Sequence, residues 1–80
     1  MINIMITKRI SIEVFKTNLN TLEDANQLRE ALWQHFNNCQ INFDLEDCDK
    51  ILRMEGENIE PEFVIEIAKT IGFTVEELPE

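Results

Sequence analysis

The chain has 80 residues, of which 44% are hydrophobic and 29% charged, and its formal net charge is −9. This composition is typical of one small globular domain and excludes a disordered chain. The N-terminal segment lacks a charged lead-in, a long apolar stretch and a cleavage site, so we expect no signal peptide, no membrane span and a cytoplasmic location.

The net negative charge comes entirely from the second half of the chain. Residues 1–43 carry four acidic and four basic side chains, whereas residues 44–80 carry twelve acidic and three basic ones. Such a field repels phosphate backbones, so we expect no nucleic-acid partner. It is complementary to a partner protein with a basic surface, although an acidic face that only keeps the protein soluble is the simpler interpretation.

The first predicted element is a strand from Ile10 to Leu19, where β-branched residues alternate with polar ones. One face carries Phe15, Thr17 and Leu19. The other face carries an apolar row, Ile10, Ile12 and Val14. Apolar residues on both faces predict a central strand or one whose back face is partly covered.

Helical spacing follows, from Leu22 to about Phe36. The predicted buried stripe of this helix consists of Ala25, Leu28, Leu32 and Phe36. Asparagine tolerates the left-handed backbone conformation, so Asn37 and Asn38 predict the end of the helix.

A β-hairpin is predicted next, with strands at residues 39–45 and 50–55 joined by the turn residues "EDCD" and closed by "EGEN". Leu52 and Met54 point inward in its second strand. A second helix starts with Pro61 at its first position and stops at Gly72, and residues 73–78 form a short last strand.

The order βαββαβ predicts an α+β, ferredoxin-like sandwich, with a four-stranded antiparallel sheet and both helices on one face. We expect a single domain at residues 10–80, preceded by an N-terminal extension at residues 1–9.

Three segments carry a resemblance to a known family: "FKTNLN" before the first helix, "DKILRMEGEN" in the hairpin, and "PEFVIEIAKTIGF" in the second helix. From about Ile10 to Leu78, the chain resembles the heavy-metal-associated domains of copper chaperones and metal-transporting ATPases. In that family a hydrophobic residue and one spacer precede a CxxC motif at the start of the first helix. Here Leu19 and Asn20 match those two positions, and the cysteine positions fall on Thr21 and Asp24.

This replacement removes the metal chemistry that the resemblance would imply. Cu(I) prefers thiolate or thioether ligands, whereas a hydroxyl and a carboxylate are hard donors. The resemblance therefore implies the fold alone, and we predict no cofactor and no metal. Thr21 and Asp24 are instead suited to cap the helix, with a weak hard-cation site at Glu23 and Asp24 as the alternative.

Cys39 and Cys48 are weak alternative ligands. We expect their sulfurs to lie on the order of 20 Å apart along an extended strand, too far to share one metal ion. Cys39 falls on the inward face, where a free thiol acts as a small hydrophobe, and Cys48 lies in the exposed turn between Asp47 and Asp49.

An enzymatic role is not indicated. His35, the one histidine, has no nucleophile that the sequence pairs with it, and no glycine-rich phosphate loop is present. Acylphosphatases share the predicted topology, but the loop before the first helix contains no arginine, and Arg29 lies two turns inside the helix.

The predicted interaction surfaces are apolar. Trp33 and Phe63 each lie one position off the buried stripe of their helix and should be half-exposed. Aromatic residues in such places can anchor a partner, although filling the edge of a small core is the commoner use. The back face of the sheet should carry Ile10, Ile12 and Val14, joined by Ile51. We expect this face to contact another chain or the N-terminal "MINIMI", in a monomer or weak homodimer.

We therefore predict a small non-enzymatic protein-interaction or adaptor module of the heavy-metal-associated type that has lost its metal site. The alternative is a metal-trafficking protein that uses other ligands or those of a partner. A small enzyme is the third hypothesis.

Overall fold

The structure, a computed structural model, describes residues 10–79. Its elements are β1 (Ile10–Thr17), α1 (Leu22–Trp33), β2 (Gln40–Asp44), β3 (Ile51–Glu57), α2 (Pro61–Thr70) and β4 (Val75–Glu77). The strands form one antiparallel sheet in the order β2-β3-β1-β4. This is the predicted α+β, ferredoxin-like βαββαβ fold. The expected N-terminal extension lies outside the described residues.

The core lies on one face of the sheet. Phe15 of β1 stands opposite Leu52 of β3, and Ile41 of β2 stands opposite Met54 of β3. All four are buried, and they form one cluster with the buried residues of both helices, among them Leu28, Leu32, Val64 and Ala68. Both helices therefore pack on this face, as predicted.

Helix α1 is shorter than predicted, because it ends at Trp33 and not at Phe36. The backbone N–H groups of His35 and Phe36 both donate to the carbonyl of Leu32, at 3.0 and 2.8 Å, which tightens the final turn. Phe36 thus follows the helix but stays buried, so its predicted place in the core is confirmed.

The predicted left-handed helix stop at Asn37 and Asn38 was wrong. The cap of α1 is right-handed, and the non-glycine residues with positive φ in the described part are Lys50 (53°) and Asn58 (55°). These two residues flank β3, which starts one residue later and ends two residues later than predicted. The backbone thus adopts left-handed angles at one residue just before β3 and at one residue just after it.

Strands β1 and β4 are also shorter than predicted. The Thr17 hydroxyl donates to the carbonyl of Lys50 at 2.7 Å and accepts from the N–H of Leu19 at 3.2 Å, so the chain leaves β1 there. Asn18 and Thr74 exchange hydrogen bonds before β4 begins, with Asn18 Oδ1 accepting at 2.9 Å. Leu19 is nevertheless buried, on the predicted face.

Both ends of α2 match the prediction. Pro61 occupies the first turn, and Gly72 follows the helix with φ of 94°. The N–H of Gly72 donates to the carbonyl of Lys69 at 3.1 Å, and that of Phe73 to the carbonyl of Ala68 at 2.9 Å. This pair of bonds is the Schellman motif, which requires a left-handed residue where the glycine stands.

We expect Gly56→Ala to destabilise the fold. A β-carbon at Gly56 would lie 2.7 Å from Sγ and 3.1 Å from Cα of Cys39. Overpacking should therefore lower the free energy of unfolding by about 1–3 kcal/mol, more than alanine gains by restricting the unfolded chain. Urea unfolding followed by the fluorescence of the single tryptophan measures this change.

The Cys39→Ala background is the control, because it removes the sulfur and keeps the backbone contact. The cost of Gly56→Ala should fall there without vanishing. An equal cost in both backgrounds would show that the contact with the sulfur is not responsible.

Candidate functional site

The loop before α1 forms a variant of the capping box. Thr21 has extended backbone angles, and its Oγ1 accepts from the N–H of Asp24 at 3.0 Å. In return, Oδ2 of Asp24 accepts from the N–H of Asn20 at 3.3 Å. The predicted capping role of Thr21 is therefore confirmed. Asp24 completes a variant of the capping box, because its carboxylate accepts from the N–H of Asn20, just before the cap, and not from that of Thr21.

This arrangement bears on the hard-cation site proposed at Glu23 and Asp24. One carboxylate oxygen of Asp24 is already an acceptor, and Glu23 is exposed beside it. Groups of three or more potential metal-binding side chains within residues 10–79 do not include either residue. Two carboxylates in the first turn also favour the positive end of the helix dipole, which accounts for both of them.

A different cluster occupies the hairpin turn. Asp47, Cys48 and Asp49 are all exposed, and their ligand atoms lie within 4.8 Å of one another. The Asp47 carboxylate accepts from the N–H of Asp49 at 2.8 Å, as in an ordinary Asx turn. The sequence showed the adjacency of these residues but not the convergence of their side chains, which the turn produces. The set mixes hard carboxylates with one soft thiol.

The other cysteine is buried. Cys39 is 8% exposed, directly before β2 and on the inward side, as predicted. Burial raises the pKa of the Cys39 thiol above its ordinary value of 9.0, and the negative charge of Glu57 raises it further. Both cysteines are free thiols, and they lie beyond opposite ends of β2. The structure does not bring them together, and Cys39 acts as a small hydrophobe of the core.

Within residues 10–79, large apolar side chains are exposed on both sides of the sheet. On the helical side, Trp33 is 48% and Phe63 40% exposed, as predicted. The back face carries the predicted row, in which Ile10 and Ile12 are exposed and Val14 and Ile51 half-buried. Whether "MINIMI" covers this row lies outside the described residues.

Phe63 joins the two helices at the surface. Its ring meets that of His35 edge-on, with centroids 4.9 Å apart, and lies 5.6 Å from that of Phe36. A groove of 280 Å³ runs between the helices from this point, lined on its apolar side by Ala31, Phe63, Ile67 and Ile71. The sequence did not reveal this meeting, because His35 and Phe63 are far apart along the chain.

A scan against protein-family models found no match, and searches of curated proteins and of solved structures found none either. The resemblance to heavy-metal-associated domains therefore stays a prediction. Within residues 10–79, neither helix is long and apolar enough to cross a membrane.

We expect Thr21→Val to lower the free energy of unfolding by about 1 kcal/mol, because it leaves an N–H of the first turn without its acceptor. Thr21→Ser should stay close to the wild type. Thr70→Val is the matched control, since the Thr70 hydroxyl bonds to the carbonyl of Glu66 at 2.9 Å and caps no free N–H. Urea unfolding of the three variants measures the effect, and an equal loss from both valine substitutions would argue against capping.

Cys39 should make the stability pH-dependent at the alkaline end. Because its folded pKa is raised, the stability from the neutral thiol is complete below pH 9.0 and is lost as the pH rises through the folded pKa. The difference in unfolding free energy between wild type and Cys39→Ala should therefore shrink as the pH rises above 9.0. A constant difference across this range would contradict the burial of the thiol.

Proposed function

We propose that the protein is a small, non-enzymatic protein-interaction module, similar in fold to the heavy-metal-associated domains but without their metal site. The capping box carries this proposal. The resemblance places cysteines at Thr21 and Asp24, whose side chains offer hard oxygen ligands and no soft sulfur. One oxygen of each side chain already accepts a hydrogen bond from a backbone N–H. The loop stabilises the start of a helix in place of holding an ion.

The interaction role is supported by the surface. Exposed apolar residues lie on both sides of the sheet, including Phe63 on the helices and Ile10 on the back face. The strong negative charge favours a partner protein with a basic surface and disfavours nucleic acid. We further propose a cytoplasmic protein that is monomeric or a weak homodimer.

A catalytic role has less support. The ring of His35 packs against Phe63, and no nucleophile is part of this contact. Within residues 10–79 no polar or charged side chain is buried, and burial raises the pKa of the Cys39 thiol, which disfavours a reactive thiolate.

Metal trafficking by other ligands is the second candidate, and one observation favours it. Cys48 is an exposed thiol whose sulfur lies within 4.8 Å of two carboxylates, so it could contribute to a site completed by a partner protein. Metal trafficking has less support than the metal-free module, because the turn by itself explains why these side chains lie close together.

Titration of the reduced protein with Cu(I) and Zn(II), in competition with a chelator, tests the proposal. The wild type should not compete for either ion. Thr21→Cys combined with Asp24→Cys should gain tight Cu(I) binding, because two thiolates at this spacing suit linear coordination. Thr21→Ser combined with Asp24→Asn is the control and should stay inactive.

Each opposite outcome has a separate meaning. Tight one-to-one binding by the wild type would overturn the metal-free module, and its loss in Cys48→Ser would identify the ligand. A double-cysteine variant that folds but binds no Cu(I) would contradict the resemblance on which the fold family rests.

A further inference from the structure

Phe63 is the centre of a concave surface, which we call the Phe63 surface. Three adjoining hollows meet at this residue: the groove between α1 and α2, one at the start of α2, and one beside the segment that joins α1 to β2. The rings of His35 and Phe36 support one side of Phe63, and 40% of Phe63 remains exposed. An aromatic ring is thus held in place at the junction of three depressions.

The charge around this ring has one sign. Four of the glutamates that line the hollows are Glu57, Glu60, Glu62 and Glu66, and no lysine or arginine of residues 10–79 lines them. Within the same residues, no ion pair joins any of these four carboxylates to a basic side chain. The Phe63 surface therefore combines an apolar centre with a rim that includes these four carboxylates, which pair with no lysine or arginine of the described residues.

Local stability explains only part of this rim. Carboxylates at the start of α2 favour the helix dipole, which accounts for Glu60 and Glu62. Glu57 belongs to β3, and Glu66 lies beyond the first turn of α2, so the dipole accounts for neither. An acidic face that only keeps the protein soluble also does not explain the exposed ring of Phe63 at its centre.

We propose that the Phe63 surface binds an arginine-containing basic segment of a partner protein. A guanidinium group stacks on aromatic rings, is weakly hydrated, and pairs with carboxylates through two parallel hydrogen bonds. The molecule itself contains one such contact, because the guanidinium carbon of Arg29 lies 5.3 Å from the ring centroid of Phe43. This inference rests on the proposed function and specifies its surface and the chemistry of its partner.

Charge also distinguishes this partner from a second copy of the chain. Two copies each bear a net charge of −9, and pairing their Phe63 surfaces would oppose glutamates to glutamates. The back face of the sheet distinguishes less between basic and acidic partners, because it carries basic Lys16 and Arg53 as well as acidic Glu55 and Asp44.

The test is an NMR titration of the ¹⁵N-labelled full chain with a short peptide that alternates arginine and leucine. Peptides with citrulline or lysine in place of arginine are the matched probes. The arginine peptide should shift the amide signals of residues near Phe63 and His35, whereas the citrulline peptide should not bind. Phe63→Leu should weaken the binding of the arginine peptide more than that of the lysine peptide. Added salt should weaken the interaction.

Two triple variants with equal charge separate a local surface from the general field. Glu60→Gln with Glu62→Gln and Glu66→Gln should weaken binding about tenfold, as expected for three partly exposed ion pairs. Glu46→Gln with Asp47→Asn and Asp49→Asn removes the same charge from the hairpin turn and should change binding less than about twofold.

Equal weakening by both triple variants, or no binding of the arginine peptide to a folded wild type, would overturn the Phe63 surface. Shifts centred on Ile12 would also overturn it, and would leave the interaction module standing with the back face as its binding surface. Failure of the proposed function is read separately, from the metal titration of the wild type.

Discussion

The packing of two helices on one face of the β1–β3 pair is the constraint on which the rest of the structure depends. Phe15 and Leu52 face each other on the central strands and are completely buried, and the apolar stripes of both helices close over them. The buried residues of the described part are all hydrophobic. In so small a domain, the polar groups must therefore be satisfied at the edges of the core, where the helix ends and turns lie.

The loop before α1 shows the consequence most clearly. The first turn of a helix has unsatisfied N–H groups, and a side-chain oxygen that accepts from them stabilises the helix. Thr21 supplies such an oxygen, and Asp24 accepts from the N–H of Asn20 just before the helix, so the two positions that would hold a soft metal in the resembled family contribute here to the start of the helix. A thiolate pair could bind Cu(I) there but would cap the helix less well, so metal binding and helix stability compete for the same two positions.

The fold also redistributes the acidic residues. Their excess belongs to the second half of the chain, and the structure places much of it in the hairpin turn and around α2. In the turn, the carboxylates of Asp44 and Asp47 accept hydrogen bonds from the backbone N–H groups of Glu46 and Asp49. Around α2, glutamates line the hollows at Phe63, so part of the negative charge is concentrated on one surface.

The sequence by itself determined the features that depend on near neighbours. Alternation placed Leu52 and Met54 inward, and the cap at Thr21 and the stop at Gly72 follow from hydrogen bonds within a few residues. Such features depend on backbone geometry that the local residue types already select.

Tertiary structure decided what depends on residues far apart in the chain. The left-handed Lys50 beside Thr17 and the fit of Gly56 against Cys39 both arise from packing between elements. The candidate site divides in the same way. Exposure of Phe63 followed from its place off the helical stripe, whereas its contact with His35 and its rim of glutamates required the helices to meet, because periodicity specifies which face is buried and not what lies opposite it.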